Sequence, residues 1–240
     1  MCGAAPAQQP TPGAAAPAAT SAQSAPTPVQ VPDTLAQRLQ PCMACHGREG
    51  RASRSGYLPR IAGKPAGYLY NQLLNFRDGR RANATMADLL AHQTDAYLAE
   101  MAGHFAAQDL PYPAPEPANA TPAVLARGEA LVRQGDARRQ LPACAACHGQ
   151  RLTGRLPTVP GLLGLPRDYL IGQLGAWQTG SRRAVAPDCM ADIAKRLRPE
   201  EASAVATWLA AQPVPPGLKA RPAPDNPPPL PCGSVQAPRP

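Results

Sequence analysis

The chain of 240 residues carries two copies of a Cys-x-x-Cys-His pattern. The pattern is formed by Cys42, Cys45, His46, Cys144, Cys147 and His148. Two thiols on one helical turn can form thioethers with the two vinyl groups of a porphyrin, while the adjacent imidazole can ligate the iron. The sequence therefore predicts two covalently attached haem c groups, with His46 and His148 as the proximal ligands of the two irons.

A redox-active disulfide and a zinc site also use Cys-x-x-Cys pairs. A thioredoxin-like site needs a βαβ context, and the helical pattern of this sequence does not supply one. A zinc site would bring both cysteine pairs into one module and would leave the two histidines without a role. Haem attachment is therefore the favoured interpretation.

An internal repeat organises the middle of the chain. The repeated segments are 42–47 with 144–149, 59–79 with 160–180, and 86–88 with 190–192. The small differences in offset between these segments correspond to short changes in loop length. The repeat predicts two homologous domains, at residues 33–110 and 120–212, joined by a Pro-rich linker at residues 111–119.

A low-spin electron carrier also needs a sixth iron ligand. The second domain contains no histidine besides His148 and only one methionine, Met190. The repeat aligns Met86 with Met190, so we expect these two sulfur atoms to complete the two iron centres. Iron with His and Met ligands is coordinatively saturated, which favours electron transfer over ligand binding or catalysis.

Four other side chains in the first domain could compete with Met86 for the iron. Met43 lies within the haem-binding turn and cannot reach the opposite face of the haem. Met101 lies on the apolar stripe of the last predicted helix of that domain and is more simply a core residue. His92 and His104 align with Arg196 and Trp208, so neither serves a function that both domains share.

The spacing of apolar residues predicts an all-α fold with two tandem haem domains. Helical periodicity is found in residues 33–40, 68–76, 94–107, 124–132, 169–177 and 198–211. No segment shows convincing strand alternation. The ten aromatic residues are few for two protein cores, which is consistent with cofactors that fill part of each interior.

The two motifs, the two methionines and one further pattern resemble the cytochrome c4 family. The further pattern is Pro-x-x-x-Gly-x-Pro-x-x-Tyr-Leu-x-x-Gln-Leu, at residues 59–73 and 160–174. The resemblance implies two class I cytochrome c domains whose haems meet near a pseudo-twofold interface. It also implies that the carbonyl groups of Pro59 and Pro160 orient the two proximal imidazoles.

The same resemblance implies a periplasmic electron carrier. Its donor would be a quinol-oxidising complex such as cytochrome bc1, or a dehydrogenase, and its acceptor a terminal oxidase. Two alternatives stay open: a cytochrome subunit of a larger dehydrogenase or oxidase assembly, and a dihaem enzyme with an open axial site. We expect no small-molecule substrate.

The two ends of the chain differ in composition from the domains, because 18 of the 32 prolines lie in residues 1–32 and 213–240. We expect both ends to be disordered. Cys2 before a flexible linker is the arrangement of a bacterial lipoprotein, which predicts lipidation at Cys2 and a membrane tether. The alternative is a recombinant start that happens to lie beside a cysteine. No run of about 18 uncharged apolar residues is present to span a bilayer.

Two cysteines are left once the haems and Cys2 are assigned. An oxidising compartment favours a disulfide between Cys189 and Cys232. Such a bond would fasten the C-terminal segment next to Met190. The alternative is one buried thiol and one exposed thiol.

The formal net charge of +8 does not indicate a nucleic-acid partner, since the arginines are scattered and no recognition motif is present. Five arginines of the second domain could dock an acidic redox partner or neutralise haem propionates, or could simply form a solvated surface. They are Arg151, Arg155, Arg167, Arg182 and Arg183.

Overall fold

Helices dominate the regular structure of the described residues. The computed structural model describes residues 3, 32–52, 57–215, 217–223 and 228–235. Its helices are α1 (Leu35–Arg38), α2 (Gln40–His46), α3 (Ala66–Arg77), α4 (Ala84–Leu90), α5 (Asp95–Ala107), α6 (Pro122–Arg133), α7 (Cys144–His148), α8 (Arg167–Gln178), α9 (Cys189–Arg196) and α10 (Pro199–Ala210). Short 3-10 helices occur at Arg48–Gly50, Ala137–Arg139 and Gly233–Val235. The predicted all-α class is confirmed.

The sequence explains where several of these helices begin. The Thr94 hydroxyl accepts a hydrogen bond from the backbone N–H of Tyr97 at the start of α5. Thr121 caps α6 in the same way, and Pro122 occupies the first position of that helix. A side-chain oxygen at this position satisfies an N–H that lacks a partner within the helix.

Among the described residues, the periodicity did not predict the short helices α4 and α9 or a small antiparallel hairpin. Its strands are β1 (Gly154–Arg155) and β2 (Val159–Pro160), with Gly154 opposite Pro160. Two residues per strand are too few for an alternation of apolar and polar side chains to show in the sequence. The hairpin matters because β2 contains Pro160, which contacts His148 as described below.

The described residues from position 33 onwards form one compact unit that contains two apolar cores. The first core is built from α3 and α5, and its buried members include Leu69, Leu98 and Phe105. The second core is built from α6, α8 and α10, and it includes Leu131 and Trp208. Each core therefore draws its buried side chains from one copy of the repeat.

The described part of the C-terminal segment contacts both copies of the repeat. The Lys219 ammonium donates to the carbonyl oxygens of Ala106 and Gln108, at 3.4 and 2.9 Å. The Arg221 carbonyl accepts a 2.7 Å hydrogen bond from the backbone N–H of Leu156. Composition alone does not reveal these contacts, because each depends on a partner distant in sequence.

Within the described ranges, no helix has the length and apolar character needed to cross a membrane. Cys2 and the rest of the N-terminal segment up to residue 31, apart from Gly3, lie outside the described residues.

Candidate haem-binding sites

Both Cys-x-x-Cys-His motifs lie on short helices, α2 and α7, that end directly at the histidine. The next residue is a glycine in each case, and it has a positive φ of 76° at Gly47 and 84° at Gly149. A Cβ atom on Gly47 would collide with the carbonyl oxygen of Ala52, so glycine is required for this close approach. The sharp turn lets the chain leave the helix immediately after the histidine.

The two imidazoles are oriented by backbone carbonyl groups. His46 Nδ1–H donates to the Pro59 carbonyl at 2.9 Å, and His148 Nδ1–H donates to the Pro160 carbonyl at 2.8 Å. This hydrogen bond leaves Nε2 of each ring free to ligate iron. Burial lowers the pKa of both histidines, which favours the neutral imidazole that a metal requires.

A continuous cavity of about 950 Å³ adjoins both motifs. Its walls include all four motif cysteines and both motif histidines. None of those four cysteines takes part in a disulfide, so their sulfur atoms are available for thioether formation. Burial raises the pKa of the Cys144 thiol to about 11. The cavity thus brings the six predicted attachment residues to one enclosed space.

Both predicted methionine ligands also line this cavity. Met86 lies in the first turn of α4, where its backbone N–H donates to the side chain of Asn83 at 3.0 Å. Met190 lies in the first turn of α9, which the Asp188 carboxylate caps through the N–H of Ala191. In both copies a capped helix start therefore fixes the methionine backbone.

The competing side chains lie elsewhere or have other contacts. The sulfur of Met43 accepts a hydrogen bond from the backbone N–H of Glu49. Met101 belongs to the first apolar core, although it also reaches the cavity wall. His92 and His104 are not among the residues that line the cavity.

Two arginines form a pseudo-symmetric cluster between the two copies of the repeat. Arg81 and Arg182 occupy equivalent repeat positions, and their backbones form an isolated antiparallel bridge. Arg81 donates to Gln72 and Gln173 at 3.0 and 2.7 Å. Arg182 donates to the same two glutamine side chains at 3.0 and 2.6 Å. If the alignment of the two copies is continued two residues beyond Gly79 and Gly180, the sequence already shows that Arg81 and Arg182 are equivalent.

The cluster holds buried positive charge that no described carboxylate balances. Arg182 is only 4% exposed, and among the described residues neither Arg81 nor Arg182 forms an ion pair. Burial lowers the pKa of the Arg182 guanidinium. Both side chains line the cavity. Buried cations normally pair with anions, and the two propionates of a haem would supply them.

A buried indole N–H beside this cluster also lacks a partner. Nε1 of Trp177 makes no hydrogen bond within the described residues. Its ring lies 3.8 Å from the Arg182 guanidinium and faces the same cavity. An unpaired donor next to unbalanced cations fits an acidic group of a cofactor. The donor set of the cavity therefore suits haem on both its axial and its propionate sides.

The other predicted arginines have different surroundings. Arg155 is half-buried and lines the cavity, whereas Arg151 and Arg183 are exposed. Arg167 donates to Thr207 and Ser203 on α10, both at 2.9 Å, and so joins two helices. Of the five arginines, only Arg182 and Arg155 are placed to act on a group in the cavity.

Cys189 and Cys232 form a disulfide, with their Cα atoms 5.0 Å apart. The backbone N–H of Gly233 also donates to the Pro187 carbonyl at 2.9 Å. These bonds hold the C-terminal segment against the loop that precedes Met190. Cys2, the predicted lipidation site, lies outside the described residues.

Curated relatives share most of this chain. A thiosulfate dehydrogenase electron acceptor from Thiomonas intermedia is 38% identical over 176 residues, which are 73% of this chain and 80% of the relative. A cytochrome c4 from Pseudomonas aeruginosa is 31% identical over 170 residues, which are 70% of this chain and 82% of the relative. No protein-family model matches the chain.

Two solved structures superpose on most of this chain. Reduced cytochrome c4 from Pseudomonas stutzeri superposes with a TM-score of 0.63 at 27% identity, covering 72% of this chain and 94% of that protein. A thiosulfate dehydrogenase from Marichromatium purpuratum superposes with a TM-score of 0.64 at 33% identity. The match covers 72% of this chain but only 36% of that dehydrogenase.

The predicted cofactors and the predicted class of activity agree with these relatives. The chain binds two haem c groups covalently and transfers electrons, and it is not an enzyme. The first haem is the one attached at Cys42 and Cys45, and the second is the one attached at Cys144 and Cys147. On its motifs, its fold and its relatives, the chain belongs to the cytochrome c4 family of dihaem cytochromes.

Proposed function

We propose that His46 and Met86 ligate the iron of the first haem, and that His148 and Met190 ligate the iron of the second. The supporting observation is that all four side chains line one cavity. Haem iron supplies one-electron redox chemistry. The protein orients each imidazole through a proline carbonyl and places each methionine at the start of a capped helix. With these four ligands bound, the irons would have no open position for a substrate.

We assign residues 33–110 and 120–212 to the two haem domains. Two separate apolar cores support this division, since each draws its members from one copy of the repeat. The cavity between the motifs is continuous, and the Arg81–Arg182 cluster spans the two copies. This arrangement suits electron exchange between the two haems within one molecule.

The protein would carry electrons in the periplasm, from a quinol-oxidising complex such as cytochrome bc1 or from a dehydrogenase to a terminal oxidase. Among these donors a thiosulfate dehydrogenase has specific support. The relative from Thiomonas intermedia is named as the electron acceptor of such an enzyme. The dehydrogenase from Marichromatium purpuratum also contains a region that superposes on this chain.

Stopped-flow spectroscopy tests this proposal. Oxidised full-length protein with both haems is mixed with a thiosulfate dehydrogenase and thiosulfate in one arm, and with cytochrome bc1 and quinol in the other. We expect both haems to be reduced rapidly in at least one arm. Protein that dithionite reduces but that neither donor reduces would contradict the role as a carrier between these donors and an oxidase.

Carbon monoxide distinguishes the carrier from a dihaem enzyme. Because methionine fills the sixth position of each iron, we expect the reduced protein not to bind carbon monoxide at neutral pH. Stoichiometric binding at one haem would instead support an open axial site and the enzyme alternative.

A further inference from the structure

Lys64 is a buried lysine that reaches from the first copy of the repeat into the second. Its residue is only 6% exposed, and it lines the haem cavity. Its ammonium donates to the Gly161 carbonyl at 3.3 Å. Within the described part of the chain it forms no ion pair with a carboxylate. Burial of a charge without an anionic partner is costly.

The contact places Lys64 beside the proximal side of the second haem. Gly161 directly follows Pro160, and the Pro160 carbonyl accepts the hydrogen bond from His148. The ammonium thus lies one peptide unit from the group that orients the imidazole.

The second copy of the repeat has no lysine at the position equivalent to Lys64. The repeat aligns Lys64 with Leu165, which is apolar and 8% exposed. Arg81 and Arg182 are paired by the repeat, but Lys64 breaks the symmetry between the two haem environments.

We propose that Lys64 raises the reduction potential of the second haem relative to the first. A fixed positive charge in a low-dielectric interior disfavours ferric iron, which carries one more positive charge than ferrous iron. The electron of the singly reduced protein would therefore rest more often on the second haem. This inference rests on the proposed ligation of the second iron by His148.

Two substitutions separate the charge of Lys64 from its structural role. Lys64→Gln removes the charge and keeps a donor for the Gly161 carbonyl, whereas Lys64→Arg keeps the charge. Arg151→Gln is the matched control, because it removes one positive charge from an exposed position of the second copy. The potential of each haem is followed through its own shifted methyl resonances by NMR during a redox titration.

We expect Lys64→Gln to change the equilibrium constant for electron exchange between the two haems by about tenfold in favour of a reduced first haem. This corresponds to a change of about 59 mV in the difference between the two reduction potentials. Lys64→Arg and Arg151→Gln should leave this equilibrium within about twofold of wild type. The proposal would be overturned if Lys64→Gln left both reduction potentials unchanged or changed them equally. It would also be overturned if Lys64→Arg gave the same change as Lys64→Gln.

The far-red absorption band of iron bound to methionine sulfur is recorded for every variant. An intact band with no change in potential would refute the role of Lys64 and leave the ligand assignment standing. If the second iron of wild-type protein lacks His148 or Met190 as a ligand, the spectra reveal that failure separately.

Discussion

Glu201 forms a buried carboxylate network whose strength can be measured. Its side chain is 1% exposed, and it accepts hydrogen bonds from Arg127, Arg139 and Arg198 at 2.6 to 2.9 Å. These contacts join the first turn of α10 to α6 and to the 3-10 helix at Ala137–Arg139. Because α10 packs against α6 in the second core, the network ties these two helices together, and Val205 and Leu209 of α10 line the haem cavity.

The network lowers the pKa of Glu201 from 4.5 to about 2, because the hydrogen bonds from Arg127 and Arg139 outweigh the opposing effect of burial. A shift of this size corresponds to about 3 kcal/mol of stability at neutral pH. Water reaches all three guanidinium groups, and its screening reduces the expected contribution to about 2 kcal/mol. We therefore expect Glu201→Gln to lower the free energy of unfolding by about 2 kcal/mol at pH 7.

The sign of the pH dependence follows from the lowered pKa. The unfolded state binds a proton near pH 4.5, whereas the folded state resists protonation until about pH 2. The contribution is therefore complete above pH 4.5 and is lost as the pH falls towards 2. At pH 3 the difference between wild type and Glu201→Gln should be about 1 kcal/mol.

Urea unfolding followed by circular dichroism at pH 7 and pH 3 measures this difference. Glu200→Gln is the matched control, because Glu200 lies next to Glu201 on α10. The side chain of Glu200, which contacts Arg198, is 69% exposed. The control should change the stability by less than about 0.5 kcal/mol. A Glu201→Gln variant as stable as wild type at pH 7, or an equal loss at both pH values, would refute the reasoning.

Three further predictions concern other parts of the chain. Arg182→Gln should lower the reduction potentials of both haems, because it removes a buried cation from the shared cavity. Arg183→Gln, at an exposed position, should leave both potentials unchanged, and spectroelectrochemical titration compares the two variants. Cys232→Ser should lower the free energy of unfolding in urea by about 3 to 4 kcal/mol, because it opens a loop closed across a sequence separation of 43, and unchanged stability would argue against a stabilising role for the bond. Cys2→Ser should release the exported protein from membranes in fractionation, and a soluble wild type would end the lipid-anchor hypothesis.

Features with a local pattern could be predicted from the sequence. The spacing of Tyr68, Leu69, Leu73 and Phe76 predicted a helix, and the structure has α3 at Ala66–Arg77. The repeat predicted two similar haem environments, and the structure places both motifs and both methionines around one cavity. Helical periodicity and ligand spacing are properties of neighbouring residues, so one sequence is enough to show them.

Contacts between distant residues could not be predicted in the same way. Nothing near Lys64 in the sequence indicates that its ammonium reaches Gly161, 97 positions away. The contact of Lys219 with Ala106 spans 113 positions, within a segment whose proline content suggested only disorder. Such pairings depend on how the two copies pack, and an unpaired indole such as that of Trp177 becomes visible only after packing is known.

The far-red band of ferric iron bound to methionine sulfur tests the central claim most directly. The measurement uses wild-type protein with two covalently attached haems, confirmed by intact mass, together with Met86→Ala, Met190→Ala and the double variant. Each single variant should lose about half of the band, and the double variant should lose all of it, because each methionine serves one iron. An unchanged band in either single variant would show that another side chain ligates that iron and would contradict the proposed pair of His–Met haems.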